Sequence, residues 1–171
     1  MERLKAKNCD IPDFPKPGIN FKDIMPLVAD ANLLKLTRLK LVEPYRESNI
    51  TLVAGMKARG FIFSGLVAAE LAVGFILLRK LGTLSYNVET VDYTFEYGAA
   101  SLEAHTDAIK PGVRLLLIDD LLATGATAKA SCQLLEKLGV DIIACAFVIE
   151  LAMLDGRKQL TPYPVHSLIQ Y

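Results

Sequence analysis

The strongest strand signal in the chain, Val113-Arg114-Leu115-Leu116-Leu117-Ile118, runs straight into two consecutive acids, Asp119 and Asp120. So apolar a run has to be covered on both faces, as in a parallel sheet. A loop of small residues, Ala123-Thr124-Gly125-Ala126-Thr127, then opens a helical pattern over 127–138. That pattern has Ala128, Cys132, Leu135 and Leu138 on one face and Gly139 as its stop. The alternation recurs along the chain. Residues 50–54 read as a buried strand, 61–73 as a helix apolar nearly all round, 75–78 as a strand, and 142–149 and 165–169 as two more. Strands alternating with helices predict an α/β fold, a mainly parallel central sheet flanked by helices.

The remaining segments fit around that frame. Pro12, Pro15 and Pro17 bar a regular helix near the start, so 8–30 is expected to be an ordered loop. Leucines 33, 36, 39 and 41 predict a helix over 33–47, ending near Pro44. Residues 79–92 lack periodicity and read as a long loop, and 93–102 as one arm of a hairpin. The length of 171 residues suits one domain, since roughly 100–200 residues per domain is usual. Nineteen basic and nineteen acidic residues balance, which argues against a nucleic-acid coat. No apolar run is long enough for a membrane helix, and the start lacks a signal-peptide core. Cys9, Cys132 and Cys145 lack metal-ligand spacing and read as small apolar residues of a reducing compartment, the cytoplasm. His105 and His166 read as surface or packing residues.

Ligands of such sheets sit beyond the carboxyl ends of the strands, which draws attention to 119–127. Free N–H groups at the start of the 127–138 helix, with the threonine hydroxyls and the helix dipole, suit a phosphate. Adjacent carboxylates repel a phosphate unless something stands between, such as sugar hydroxyls or a magnesium ion. A phosphorylated sugar satisfies both halves. The plain alternative is that Asp119 and Asp120 only cap a helix, yet one cap needs one acid. The chain has no G-x-x-x-x-G-K-[ST] and no G-x-G-x-x-G.

Ile118-Asp119-Asp120-Leu121-Leu122-Ala123-Thr124-Gly125-Ala126-Thr127 closely resembles the phosphoribosyl pyrophosphate (PRPP) signature of type I phosphoribosyltransferases. Its wording is similar to the adenine-using branch of that family. The likeness runs nearly end to end: Phe14-Pro15-Lys16-Pro17-Gly18-Ile19-Asn20-Phe21-Lys22 resembles a base-binding loop and Ala58-Arg59-Gly60-Phe61 a pyrophosphate loop. Leu78-Arg79-Lys80 is similar to the next strand end, and Glu96-Tyr97-Gly98 to a mobile lid. The resemblance implies a type I phosphoribosyltransferase fold over 1–171, with a small N-terminal hood (1–32) and a lid loop (80–97). It also implies transfer of phosphoribose from magnesium–PRPP to adenine, giving AMP and pyrophosphate, by a homodimer.

By the same resemblance Asp119 and Asp120 hold the ribose hydroxyls, directly or through magnesium, and Ala123, Thr124, Gly125, Ala126 and Thr127 cradle the 5′-phosphate. Lys57, Ala58, Arg59, Arg79 and Lys80 face the pyrophosphate, and Arg59 is counted among the catalytic residues. Asn20, Phe21, Lys22 and Leu151 surround adenine, and Glu96 is the acid–base candidate. The alternatives are a PRPP- or nucleotide-binding relative with little catalysis, or a transferase for another purine.

The chain departs from the family pattern in several places. Lys57 stands where an acid is usual, Thr83 where a lysine is expected, and Lys22 where arginine is common. The 84–87 loop lacks the usual proline, and Ala126 replaces a glycine. If position 126 needs a positive φ, alanine costs about 1 kcal/mol there. These departures predict weakened catalysis or altered base choice.

Overall fold

A computed structural model describes residues 2–11, 21–85, 87–95, 98–107, 109–110 and 112–171, except the side chains of Cys9, Phe21 and Phe95. Asn20 and Glu96 lie outside the described residues, as does the side chain of Phe21. A two-stranded antiparallel ribbon, β1 (Cys9–Ile11) and β2 (Phe21–Asp23), follows the short helix α1 (Glu2–Lys5). The main sheet has seven strands: β3 (Leu52–Met56), β4 (Gly74–Lys80), β5 (Val88–Phe95), β6 (Gly98–His105), β7 (Arg114–Leu122), β8 (Asp141–Glu150) and β9 (Val165–Gln170). Their order is β5-β6-β4-β3-β7-β8-β9. Five strands, β4 through β9 in that order, run parallel, and the β5–β6 hairpin adds antiparallel to β4.

Strand side chains alternate between faces, so the central strands split their apolar residues into two cores. Leu52, Ala54 and Met56 of β3, Leu115 and Leu117 of β7, and Phe147 of β8 meet Ala128, Cys132 and Leu135 of α5 (Ala126–Lys137). Val53, Leu116, Ile118, Ala146 and Val148 face the other way. They pack on Leu33 and Leu41 of α3 (Ala31–Val42) and on Phe63 and Val67 of α4 (Gly60–Leu71). Cys132 and Cys145 are buried, as expected, and His166 packs edge-on against Tyr45.

Several boundaries differ from the sequence reading. Helix α3 starts earlier than 33 because Asp30 caps it, accepting from Asn32 N and Leu33 N, and it stops at Val42, before Pro44. A short four-residue helix, α2 (Met25–Val28), lies within the stretch expected to be loop. The long loop expected over 79–92 shrinks to 81–87, because β4 runs to Lys80 and β5 begins at Val88. Residues 93–102 contribute to both arms of the hairpin rather than one. Much of the stretch expected to be a lid loop (80–97) is therefore strand. It is tied to α5 by Lys137, whose Nζ donates to Thr90 O at 3.1 Å and lies 3.5 Å from Glu89 Oε1. Among the described residues no helix is long and apolar enough to cross a membrane.

Candidate active site

The carboxyl ends of β3, β4, β7 and β8 point the same way, as parallel pairing demands, and the loops that follow them converge. Strand β7 carries both aspartates within it. Asp120 is buried at 6% exposure, and its Oδ2 lies 2.8 Å from Nε of Arg59. Arg59 stands just before α4, in the loop after β3 whose Lys57–Ala58 peptide is cis. The ion pair thus joins the β3 and β7 loops. Asp119 is half-buried and accepts from Asp120 N at 2.9 Å. Burial, then the negative charge of Asp120, push its carboxyl well above the ordinary value, against the smaller pull of Arg59.

Beyond the aspartates a cavity of about 170 Å³ is lined by Lys57, Asp119 and residues 121–128. Its floor is the start of α5. Gly125 occupies the N-cap position with φ +85° and offers no side-chain cap, so the first-turn amides face the cavity lined by Ala126, Thr127 and Ala128. A methyl group at Gly125 would stand 2.4 Å from Gly156 O, and one at Gly156 2.1 Å from Ala123 O, so the two loops touch backbone to backbone. Ala126 is the first residue of α5 and is not among the positive-φ residues. The strain expected of alanine there is absent because Gly125 takes the left-handed turn. A larger cavity of about 490 Å³ shares Thr124 and Ala126 and runs between Asp92–Thr94 of β5 and Lys129 and Gln133 of α5.

The other candidates are spread around this centre. Ala58 is exposed in the β3 loop, beside Lys57 and Arg59. Arg79 and Lys80 end β4 but line neither cavity; Arg79 Nη1 donates to Thr83 O at 3.3 Å. Where a lysine was expected, the hydroxyl of Thr83 donates to Lys80 O at 2.7 Å and completes a turn. That turn is gripped by Glu103, 2% exposed, which accepts from the amides of Gly82, Thr83 and Leu84 at 3.1, 2.7 and 2.6 Å. Burial raises the Glu103 pKa, but these amides outweigh it and leave the carboxyl low. Lys22 Nζ pairs with Asp10 Oδ1 at 2.6 Å and lies 4.1 Å from the Tyr171 ring centre, a cation–π contact. Leu151 follows β8, with its N–H donating to Leu122 O at 2.9 Å, so the segments that follow β7 and β8 are adjacent.

Glu103, Glu150 and Arg157 escaped the sequence reading. For Glu150 a signal existed. The buried run 142–149 ends on an acid just as 113–118 does.

A fold of this topology, carrying paired aspartates before a glycine-turned helix start, defines a class. Residues 31–168 match the family model described as the phosphoribosyl transferase domain, and the chain belongs to that family. Within it the likeness narrows to those that use adenine. The chain is 61% identical, over the whole of both chains, to the adenine phosphoribosyltransferase of Nitrosococcus oceani. It superposes on the crystal structure of the Rhodothermus marinus adenine phosphoribosyltransferase with a TM-score of 0.95, at 46% identity, covering 99% of this chain and 97% of that one. The Saccharomyces cerevisiae enzyme, solved with an iminoaltritol bisphosphate and adenine, gives 0.92 at 35% identity over 98% and 97%. The fold is the type I phosphoribosyltransferase fold.

Proposed function

We propose that the chain transfers the 5-phosphoribosyl group of PRPP to N9 of adenine in purine salvage, forming AMP and releasing pyrophosphate. One observation carries the reading. A carboxylate pair, of which the buried Asp120 is tied to Arg59, stands beside an uncapped helix start, which suits a sugar that carries a phosphate. Full-length similarity to adenine phosphoribosyltransferases supports the choice of base.

In this reading Asp119 and Asp120 accept from the ribose hydroxyls, and the amides and hydroxyls of Ala123 to Thr127 receive the 5′-phosphate. The bond from C1′ to the pyrophosphate oxygen breaks as C1′–N9 forms. Positive charge grows on the sugar beside the aspartates, and negative charge on the leaving group beside Lys57, Arg59, Arg79 and Lys80. Fixed charges of this kind stabilise the transition state without reorganising. Glu96 takes the N9 proton. Asn20, Phe21 and Leu151 frame the base, and Lys22 exchanges its Asp10 contact to join them.

Among the described residues no three His, Cys, Asp or Glu side chains converge. Asp119 and Asp120 would hold a magnesium ion that arrives on PRPP, because a cation would offset the burial and the Asp120 charge that push the Asp119 carboxyl up. Magnesium held there would supply positive charge to offset that of the departing pyrophosphate. A homodimer is consistent with the apolar outer face where Phe61 of α4 meets Phe75 of β4, ring centres 6.3 Å apart, with Phe75 37% exposed.

The test is a steady-state assay with magnesium–PRPP and adenine, hypoxanthine, guanine or xanthine offered separately. AMP from adenine alone is expected. Turnover of another base in preference to adenine moves the specificity, and PRPP binding without product from any base overturns the enzyme reading.

A further inference from the structure

The 5′-phosphate loop is backed by a second loop rather than by a side chain. Gly156 lies against Ala123 and Gly125, backbone on backbone, at the start of a 3-10 turn (Gly156–Leu160). Across this seam Lys129 Nζ of α5 donates to Gln159 Oε1 at 3.1 Å, an exposed bond. The tie from the turn to the sheet comes from the residue after Gly156. Arg157 Nε donates to Glu150 Oε1 at 3.0 Å and Nη2 to Oε2 at 2.6 Å, a planar two-point pair. Nη1 donates to Val165 O at 2.7 Å. Glu150 is 5% exposed at the end of β8 and also accepts from Ser167 Oγ and, at 3.1 Å, from Gln170 Nε2. Three positions on β8 and β9 therefore clamp one arginine.

The base side of the same segment does not need this clamp. Leu151 N donates to Leu122 O and Ala152 N to Tyr171 O, both at 2.9 Å, so Leu151 is pinned from its own backbone. Gly156 has Arg157 as its neighbour in the chain, and with it the connection to the sheet.

We propose that the Glu150–Arg157 pair is a positioning device for the 5′-phosphate loop: it holds Gly156 against Ala123 and Gly125 and so sets where the phosphate-binding amides stand. This rests on the function proposed above. Neither residue lines either cavity. The pair acts on the phosphate end of PRPP and of AMP and leaves the base end and the chemical step alone.

Full-length wild type, Arg157→Ala, Arg157→Lys and Glu150→Gln are titrated with AMP and assayed with PRPP and adenine. For Arg157→Ala the AMP Kd and the KM for PRPP are expected to rise about tenfold, with kcat and the KM for adenine within about twofold. Arg157→Lys, which keeps charge but loses the fork, is expected to recover part of the loss. If Arg157→Ala does not fold, the same split is read from Arg157→Lys and Glu150→Gln. Equal rises in the two KM values, a fall in kcat with both KM values held, or no change in AMP affinity overturns the proposal. A wild type that neither binds AMP nor forms it overturns the parent reading, and this one with it.

Discussion

Strands β7 and β8 are neighbours, and the buried apolar run of each leads into acids, Asp119 and Asp120 within β7 and Glu150 at the end of β8, yet the two places carry opposite electrostatics. At β8, Arg157, Ser167 and Gln170 surround Glu150 with donors, and the Arg157 hydrogen bonds hold its carboxyl down to about 2 despite burial. At β7, burial and the charge of Asp120 drive Asp119 the other way, and the single arginine in contact, Arg59, pairs with Asp120. A carboxylate saturated by the protein holds structure. A carboxylate left short of positive charge is poised for a ligand that brings it, at a standing cost to the unliganded fold. The difference lies in the donors, because the strand context is the same.

The sharpest way to break the contrast is Asp120→Asn, which removes the charge that holds Arg59. The kcat/KM for PRPP is expected to fall about 100-fold, measured by initial rates. A fall under threefold would mean the β7 acids are structural after all. Next comes Glu150→Gln, for which chemical denaturation at pH 7 is expected to show a loss of about 2 kcal/mol. The sign follows from the depressed pKa: stability is full above the ordinary value of 4.5 and is lost as pH falls toward about 2. The gap between wild type and variant is therefore expected to close over that window.

Asp119→Asn should act with the opposite sign. An acid whose folded pKa is raised costs stability as pH rises through its unfolded value toward the folded one, so removing it helps the empty protein near neutrality. A gain of about 1 kcal/mol, or roughly 2–4 °C in Tm, is expected together with weaker PRPP binding. A variant that is less stable and binds normally contradicts the picture. Glu103→Gln makes the smallest change, because a neutral amide oxygen still accepts from the 82–84 turn. The KM for PRPP is expected to rise about threefold, with kcat held.

What was legible in the sequence was what is local in it. The β7 acids, the small-residue loop and the helix start lie within ten residues, and each has a recognisable physical preference. The apolar runs of β3, β7 and β8 announced burial on both faces. The hairpin was harder. Among the described β5 side chains only Val91 is well buried, so the apolar alternation that marks a half-buried strand is faint before Tyr93. Glu150 was invisible as a clamp because its partners lie seven, seventeen and twenty residues on. The fate of Ala126 turned on one backbone angle, which sits at Gly125 instead.

The strand order also sets a sequence of assembly. Strand β3 pairs with β7, whose nearest paired residue is about sixty positions further along, while β9 joins at the edge from residues 165–170. Pairing across that gap carries a larger loop-closure cost than the β8–β9 pairing, where Cys145 meets Val165 twenty residues on. The Glu150–Arg157 clamp is therefore closed by contacts near in sequence, whereas the register that sets the β7 aspartates beside Arg59 waits on a distant pairing.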